Sequence, residues 1–383
     1  MKPTRAASFA IVANGFADGP AQALRDYLRA CGAEVHAVWH PLSAEDGMGH
    51  VVESWSGEAL TLRRVVRLPV RPPASFAVDP FVPLRVPRVD VWFGFNPSAC
   101  ARGLVALRLR RSRIVVLWSV DFVPDRFGRG TVKTRIYDRL DELCCAKADA
   151  RIELTEAAAA ARNERHGLAA EKRMAHIVPM GAWLDRVPTV DSESRQRRRV
   201  VLLAHLVQRQ GVDLLLEALA VLRDTGVAAD ILGTGPLEAS LRAQARELGL
   251  DGAVTFHGFV ADHREVERIL ANASLGVAPY RPGEGTFTTH ADPGKLKAYV
   301  AAGLPIVLTN VPPNAGELAG EGVAEVVPFD ARALADAIRR TLDSPDEWRR
   351  RSAAALRYAK QFDWSLLLGG LMEELRLEVA SRG

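Results

Sequence analysis

The sequence predicts an α/β fold with two doubly wound parallel sheets, and three observations support this prediction. Short apolar segments rich in Val, Ile and Leu alternate with helical segments of about 10–15 residues, a pattern typical of parallel sheets covered by helices. The alternation occurs twice, on either side of the charged stretch SESRQRRR near the middle of the chain. The length of 383 residues exceeds what one ordinary hydrophobic core supports. We therefore expect two Rossmann-like domains that face a cleft.

The first series begins with SFAIVANGF, which is predicted to be a strand that enters a glycine turn. The helix PAQALRDYLRACG follows, with Pro20 in its first turn and Gly32 at its end, and then the strand EVHAVWHPL. Residues 45–90 are rich in proline, and we predict them to be irregular. Beyond them we predict the buried strands VDVWFGF and RIVVLWSV, helices over 134–148 and 155–166, and a short strand in HIVPMGAW.

The second series starts at RVVLLAHL, directly after the charged stretch. Further strands are predicted in AADILGTGP, AVTFHGF, LGVAPY, PIVLTN and VAEVVPF, with helices between them and amphipathic helices from Pro345 to about Ser381. These elements define one domain over residues 1–190 and a second over 199–362. The segment 363–383 is predicted to be a helix that packs back on the first domain.

Composition narrows the class of protein. The values of 48% hydrophobic and 25% charged residues are globular, which excludes disordered and fibrous classes. No apolar run reaches the ~20 residues of a membrane span, and the N-terminal segment lacks a secretory pattern, so we expect a cytoplasmic protein. The net charge of +4 suits phosphorylated ligands without requiring nucleic acid as a partner. Only seven of the 50 basic residues are lysine.

Cysteine and histidine usage gives no sign of a disulfide framework or a metal site. The four cysteines are predicted to be buried free thiols: Cys31, Cys100, Cys144 and Cys145. His36 and His40 flank a strand but lack a third ligand at metal spacing, so no metal ligand is predicted.

Two arginine clusters lie at residues 108–113 and 195–199. A solvated surface or linker is the favoured interpretation of both clusters, and a peripheral membrane contact or an anionic-acceptor patch stays open. The turn ILGTGP, with Gly233 and Gly235, follows a strand and precedes a helix. Such glycines let backbone N–H groups approach a phosphate, although tight-turn packing explains them equally well.

The stretch from Val200 to Phe362 resembles the donor domain of retaining glycosyltransferase family 4, which has the two-domain GT-B fold. The resemblance lies in the order and spacing of several blocks: LLAHLVQRQGVDLLLEAL, ADILGTGPLEASLRAQARELGL, VTFHGFV, LGVAPYRPGEGTF, DPGKLKAYVAAGLPIVLTNVPP and QFDWSLL. The N-terminal half matches more weakly, as acceptor domains of this family diverge with the acceptor. The resemblance implies a metal-independent transferase that needs no cofactor other than its nucleoside-diphosphate-sugar donor and transfers the sugar with retention.

Several family positions carry different residues here. The arginine and lysine that the family uses to neutralise the donor diphosphate correspond to His205 and Gln210, and Arg209 is a candidate substitute. The glutamate that contacts the ribose corresponds to Ala298, which argues against assuming a common uridine donor. The family's first glutamate falls on His290.

Candidate acidic and basic site residues lie close in sequence to His290 and Ala298. Glu284 begins an EG-x-F string typical of the first glutamate, although it lies six residues early, and Asp292 is a second candidate acid. In DPGKLK, Gly294 opens a helix whose first turn carries Lys295 and Lys297. A helix N-terminus with an ammonium group is a plausible diphosphate site, and Lys295 is the preferred candidate of the two lysines.

The first domain offers fewer candidates. Asp121 follows the strand RIVVLWSV at the edge where ligands of parallel sheets collect, and either sugar binding or a turn cap explains it. Gly15, Asp18 and Gly19 in the first turn are candidates for an acceptor or phosphate-side loop.

Together these features favour a glycosyltransferase that acts on a hydroxyl- or amine-bearing acceptor, either a specialised metabolite or a cell-envelope glycan or glycolipid. A catalytically impaired relative that acts as a binding partner is the alternative, because the family's Arg, Lys and Glu are replaced. A nicotinamide dehydrogenase is disfavoured, since neither series has G-x-G-x-x-G after its first strand.

Overall fold

A computed structural model describes residues 7–42, 47–72, 76, 79, 86–188, 198–283 and 290–380. The chain divides into two compact units. Unit 1 comprises Met1–Pro179 and Leu367–Gly383, and unit 2 comprises Met180–Leu366. Each unit contains its own sheet.

Unit 1 is built on an eight-stranded mixed sheet in the order β4-β3-β2-β1-β5-β6-β7-β8. Strands β2, β1, β5, β6, β7 and β8 run parallel, whereas β3 and β4 are antiparallel additions at one edge. The strands are β1 (Ser8–Asn14), β2 (Glu34–His40), β3 (Gly49–Ser56), β4 (Ala59–Arg67), β5 (Val91–Gly94), β6 (Ile114–Ser119), β7 (Ala150–Glu153) and β8 (His176–Ile177).

Four helices of unit 1 connect these strands. They are α1 (Pro20–Ala30), α2 (Pro97–Arg108), α3 (Val132–Lys147) and α4 (Glu156–His166). Their starts follow local sequence rules: Asn96 caps α2, Thr131 caps α3 and Thr155 caps α4, each by accepting a backbone N–H bond on its side-chain oxygen. Proline occupies the first turn of α1 and α2, where no intrahelical N–H bond is lost.

The prediction that residues 45–90 are irregular is wrong for 49–67, where β3 and β4 form an antiparallel hairpin. The side chains of β3 alternate between buried and half-buried positions, but nearly all those of β4 are exposed. The guanidinium of Arg25 in α1 lies 5.6 Å from the ring centroid of Trp39 in β2 and 5.7 Å from that of Trp55 in β3. These cation–π contacts join α1 to β2 and to the first strand of the hairpin.

Unit 2 is built on a six-stranded parallel sheet in the order β11-β10-β9-β12-β13-β14. This order is that of a doubly wound nucleotide-binding sheet, and it reverses between β9 and β12. The strands are β9 (Arg199–Leu203), β10 (Ala228–Leu232), β11 (Val254–Gly258), β12 (Leu275–Ala278), β13 (Ile306–Thr309) and β14 (Ala324–Val327). Because helices cover both faces, the central strands are mostly apolar.

The helices of unit 2 are α5 (Val212–Val221), α6 (Glu238–Glu247), α7 (His263–Asn272), α8 (Gly294–Ala301), α9 (Ala315–Gly320), α10 (Ala331–Asp343) and α11 (Pro345–Ala359). The last helix, α12 (Trp364–Ala380), begins in unit 2 and continues in unit 1. Among the helices that the structure describes, none has the length and apolar character needed to cross a bilayer.

The units divide after Pro179, whereas the charged stretch suggested a division between residues 190 and 199. The chain just after Pro179 contacts unit 2: the Met180 N–H donates to Asp292 Oδ2 at 2.8 Å, and Ala182 forms a bridge with Asp363. Because of these contacts, the chain from Met180 onward belongs to unit 2, and the boundary between the units lies before the charged stretch.

The predicted burial of the cysteines is confirmed for Cys100, Cys144 and Cys145 and wrong for Cys31, which is exposed. The helix α1 ends at Ala30, one residue before Cys31, and Cys31 is its C-terminal cap residue at the surface.

Candidate functional site

The loops that follow β9 and β12 lie side by side at the carboxyl edge of the unit 2 sheet. Since the strand order reverses between these two strands, a crevice is expected there, and ligands of open α/β sheets bind in such crevices. The backbone N–H of Arg281, after β12, donates to the carbonyl of Arg209, after β9, at 3.0 Å. This bond holds the two loops together.

Lys295 lies next to these loops, at the second residue of α8. Its Nζ donates to Gln210 Oε1 at 2.5 Å and lies 4.6 Å from the ring centroid of Tyr280. Burial, together with the positive charge of Arg209, lowers the pKa of Lys295 to about 7. The structure thus brings together three of the predicted residues: Lys295, Gln210 and Arg209.

Arg209 and Tyr280 complete this polar group. Burial lowers the pKa of Arg209 and raises that of Tyr280 well above its usual range. A partly desolvated cluster of cations with few acidic neighbours favours an anionic ligand. Sequence reasoning missed Tyr280 and Arg281, although both directly follow a strand at the point where the order of the sheet reverses.

Arg281 is committed to local contacts. It forms an ion pair with Asp213, and its guanidinium lies 4.5 Å from the ring centroid of Phe329. This pairing holds the β12 loop against the start of α5.

Gly233 and Gly235 allow two backbone segments to pass closely. A Cβ at Gly233 would collide with the carbonyl oxygen of Ala204, and a Cβ at Gly235 would lie 2.6 Å from both the nitrogen and the oxygen of Leu206. The φ of Gly233 is +123°, which side chains rarely adopt. Close packing of the β10 loop against the β9 loop therefore requires both glycines.

His205, His290 and Ala298 occupy family positions that carry charged residues elsewhere. His205 is exposed, and its Nδ1 contacts the carbonyl oxygen of Thr234 at 2.8 Å. His290 is half-buried just before α8, and Ala298 packs against the apolar core under α8.

Asp292 and Lys297 form a buried pair, with side-chain exposures of 5% and 4% and an N···O distance of 3.4 Å. Asp292 also accepts the Met180 N–H at 2.8 Å, and the Lys297 ammonium lies 3.4 Å from the ring centroid of Phe362. Burial raises the pKa of Asp292 and lowers that of Lys297. Both side chains thus have partners inside unit 2, and these contacts explain how the two charged groups are buried.

Gly294 and Glu284 are the remaining candidates of the second domain. Gly294 begins α8, and a Cβ there would lie 2.9 Å from Met180 Cε. Glu284 lies outside the described residues.

In unit 1, Asp121 follows β6, and its carboxylate forms an ion pair with Arg126. Its carbonyl accepts bonds from Ser119 Oγ at 2.9 Å and from the buried Arg162 at 3.0 Å. Asp121 therefore organises the loop at the carboxyl edge of the sheet. Arg162 in turn pairs with Glu153 at 2.7 Å.

The first turn of unit 1 lies where the order of its sheet reverses, between β1 and β5. The N–H of Gly15 donates to His40 O at 2.8 Å, and Gly19 precedes α1 as an extended cap residue. Across the reversal, Asn96 Nδ2 donates to Asn14 Oδ1 at 2.8 Å. The described residues thus place a polar crevice in this unit as well.

The structure brings two further ligand types, His50 and Asp79, to His40, a grouping that the spacing along the sequence does not show. The three buried side chains form a group whose ligand atoms all lie within 4.8 Å of one another. Burial lowers the pKa of His40 to about 3 and raises that of Asp79 to about 6. His36, by contrast, bonds to Ser54 and Glu34. The ligands come from distant segments, so spacing along the sequence could not reveal them.

The arginine clusters contact their own units. In the first, Arg111 donates to the carbonyl of Val86 at 2.6 Å and Arg113 lies 3.9 Å from Asp90. In the second, Arg198 pairs with Asp343 and Arg199 pairs with Asp230, both at 2.5 Å, and residues 195–197 lie outside the described part.

Comparison with known proteins relates the second half of the chain to one family. Residues 197–344 match the family described as Glycosyl transferases group 1. The GDP-mannose-dependent alpha-(1-6)-phosphatidylinositol dimannoside mannosyltransferase of Mycobacterium tuberculosis is 31% identical over 188 residues, which cover 46% of this chain and 44% of the relative. The chain therefore spans less than half the length of that relative.

Solved structures match almost the whole chain. Sucrose-phosphate synthase from Thermosynechococcus elongatus has a TM-score of 0.73 and 17% identity, covering 98% of this chain and 100% of its own. HepE of Anabaena, solved in complex with UDP, has a TM-score of 0.69 and 17% identity, covering 97% and 99%. The predicted GT-B fold is confirmed. Residues 197–344 are therefore similar to the glycosyl transferases group 1 family, in a chain with the GT-B fold.

Proposed function

We propose that this protein is a glycosyltransferase that moves a sugar from a nucleoside-diphosphate sugar to a hydroxyl- or amine-bearing acceptor. The observation that carries the proposal is the placement of Lys295. It lies at the start of α8, bonded to Gln210 and near Arg209, where the order of the unit 2 sheet reverses. A helix N-terminus and two cations form a binding site for a diphosphate.

The chemistry follows from the leaving group. As the glycosidic bond breaks, negative charge develops on the diphosphate, and Lys295 and Arg209 stabilise it. Cations of the chain thereby perform the task that a metal ion performs elsewhere. The acceptor oxygen or nitrogen forms its bond to the anomeric carbon on the face that the phosphate leaves, and the departing phosphate takes the acceptor's proton, so the anomeric configuration is retained.

Ala298 is the residue that bears on which donor nucleotide is recognised. Ala298 cannot bond to ribose hydroxyls as a glutamate does, and its methyl group packs into the core under α8. We therefore propose that recognition of the donor depends more on its diphosphate than on its ribose, so that several nucleotides compete for the site.

Calorimetry with UDP-, GDP-, ADP- and dTDP-sugars tests the proposal. We expect one or more to bind, and we expect Lys295→Gln to weaken binding by about 10- to 100-fold, the range of a charge-assisted phosphate contact. Lys360→Gln, an exposed lysine of the same unit, is the matched control and should bind like the wild type. Failure of every sugar nucleotide to bind would sink the proposal.

A catalytically impaired relative is the second candidate. It is favoured by the commitment of Asp292 to Lys297 and to the Met180 N–H, which leaves Asp292 without a free carboxylate for the sugar. Binding of a donor without release of free nucleotide diphosphate in the presence of acceptors would support this candidate over the transferase.

For the acceptor we propose a cell-envelope glycolipid, reached by peripheral membrane contact. Helix α3 exposes Val132, Ile136 and Leu143 on one face, with side-chain exposures of 69%, 64% and 46%. Exposed cations of the same helix are Lys133, Arg135 and Arg139. Apolar residues beside cations suit the surface of an anionic bilayer. The relative from Mycobacterium tuberculosis, by its name, acts on a phosphatidylinositol dimannoside.

A further inference from the structure

A cluster of two histidines and one aspartate lies in unit 1, far along the sequence from the donor-binding residues of unit 2. His40 is the last residue of β2, His50 lies in β3, and Asp79 comes from the chain beyond the hairpin. Their exposures are 2%, 0% and 4%. Side chains of this polarity are seldom buried together without a common partner.

The spacing of the three ligand atoms matches metal coordination. His40 Nδ1 and His50 Nδ1 are 2.9 Å apart, and Asp79 Oδ1 lies 3.7 Å from the first and 3.6 Å from the second. Four-coordinate ions with bonds of about 2.0–2.2 Å place their ligand atoms roughly 3.3–3.6 Å apart. The two separations to Asp79 Oδ1 lie at or just above the top of that range, and the 2.9 Å between the two Nδ1 atoms would widen when an ion binds.

Unsatisfied polar atoms point to the same conclusion. Asp79 Oδ2 accepts a bond from Asn14 Nδ2 at 3.1 Å, but the buried Oδ1 has no hydrogen-bond partner among the described residues. The two Nδ1 atoms face each other, so one proton at most lies between them. A buried carboxylate oxygen without a donor costs free energy that a cation at this point would offset.

We propose that His40, His50 and Asp79 bind a divalent first-row transition-metal ion such as Zn²⁺. Two imidazole nitrogens and one carboxylate form a ligand set that such ions prefer, whereas Mg²⁺ and Ca²⁺ prefer oxygen ligands. The ion joins the end of β2, the start of β3 and the segment at Asp79.

There is space for a fourth ligand beside the cluster. A small cavity borders His40 and Asp79 and is lined also by Asn14, Ser98 and Arg102. A water molecule or an anion bound to the ion would fit this cavity, and the guanidinium of Arg102 favours hydroxide or another anion as this ligand. The site is distinct from the proposed diphosphate site, whose residues all belong to unit 2.

Direct metal binding tests the proposal without any assay of sugar transfer. Chelator-treated protein is titrated with Co²⁺, and we expect one equivalent to bind with the visible absorption of a four-coordinate site. Zn²⁺ should displace the Co²⁺ and raise the melting temperature, because an ion that binds only the folded state stabilises it. Absence of a stoichiometric visible spectrum in the wild type overturns the proposal, whatever the variants do.

Variants then assign the ligands. Asp79→Asn keeps the size of the side chain and should weaken Zn²⁺ binding by at least about tenfold, as should His50→Gln. His36→Gln is the matched control, because His36 is a buried histidine of β2 that bonds to Ser54 Oγ at 2.8 Å. Circular dichroism verifies that each variant is folded. Wild-type affinity in folded Asp79→Asn and His50→Gln would also overturn the proposal.

Discussion

Lys295 loses its charge near neutral pH, because burial lowers its pKa to about 7 from the ordinary value of 10.5. The two ionised phosphates of a sugar nucleotide keep their charge across this range, and they interact with the protonated amine. Bound donor therefore raises the pKa of Lys295, and affinity depends on how readily the free protein takes up the proton.

We predict that donor affinity is highest below about pH 7 and falls as the pH rises above 7, by up to about tenfold per pH unit. The fall ends where the pH reaches the raised pKa of Lys295 in the complex. Calorimetry with one sugar nucleotide between pH 6 and 9 measures the profile. The Lys295→Gln variant should bind weakly with a nearly flat profile. An equally steep profile in that variant would assign the titration to another group.

A second prediction concerns Asp292 and tests whether the role of its carboxylate is structural or catalytic. Asp292→Asn leaves the ammonium of Lys297 buried without a negative partner, and we expect the free energy of unfolding of unit 2 to fall by about 3–5 kcal/mol. Urea unfolding measures the change, and Asp346→Asn is the control because the side chain of Asp346 is 97% exposed.

The double variant Asp292→Asn/Lys297→Met removes both charges and should recover much of the lost stability. A stable Asp292→Asn protein that binds donor but forms no product would instead place Asp292 at the reacting sugar.

The sequence could predict Lys295, Arg209 and Gln210 as site residues, but not that Tyr280 lies beside Lys295. Two of seven lysines lie within three residues at a helix start, which drew attention to Lys295 and Lys297. Which lysine faces the loops depends on the side of α8 that packs inward, and a helix this short has no clear apolar stripe. Similarly, His50 and Asp79 approach His40 through tertiary contacts that leave no pattern in the sequence.

At the scale of elements, the buried strands were predictable and the hairpin was not. Strands such as β6 and β9 are covered by helices on both faces, so their sequences are continuous apolar runs. Strand β4 lies at the sheet edge with its side chains exposed, including Arg63, Arg64 and Arg67. Because arginines and apolar residues are mixed on both faces of this edge strand, it lacks the alternating apolar pattern by which half-buried strands are predicted.

The exposed apolar face of helix α3 leads to a prediction about membrane binding. Ile136→Glu places a charge in the exposed apolar face, and we expect the fraction of protein that sediments with vesicles of anionic phospholipid to drop at least about threefold. Leu356→Glu is the matched control, because Leu356 is a leucine of α11 with 49% exposure. Equal losses in both variants, or binding by neither the wild type nor the variants, would refute membrane contact through α3.

For the whole molecule, each unit has its own apolar core, and one helix near the end of the chain contributes to both. The core of unit 2 lies on both faces of its sheet, and the core of unit 1 includes Val12, Val38 and Leu117. Helix α12 begins with Trp364, which packs on Gly181 in unit 2. Beyond Leu367 the helix belongs to unit 1, where Glu374 accepts a bond from His176 Nδ1 at 2.5 Å.

The residues of α12 in unit 1 should therefore stabilise a unit whose other strands and helices end before residue 180. Leu371 is 3% exposed, and Leu371→Ala is expected to lower the free energy of unfolding of unit 1 by about 2–5 kcal/mol, the cost of a cavity in a packed core. Hydrogen exchange measured by mass spectrometry should show faster exchange in β1, β2 and β5 than in the wild type. Leu366→Ala, in the same helix but 61% exposed, should leave those strands unchanged. Faster exchange confined to β9–β14 would contradict the assignment, because it would mean that this part of α12 stabilises unit 2.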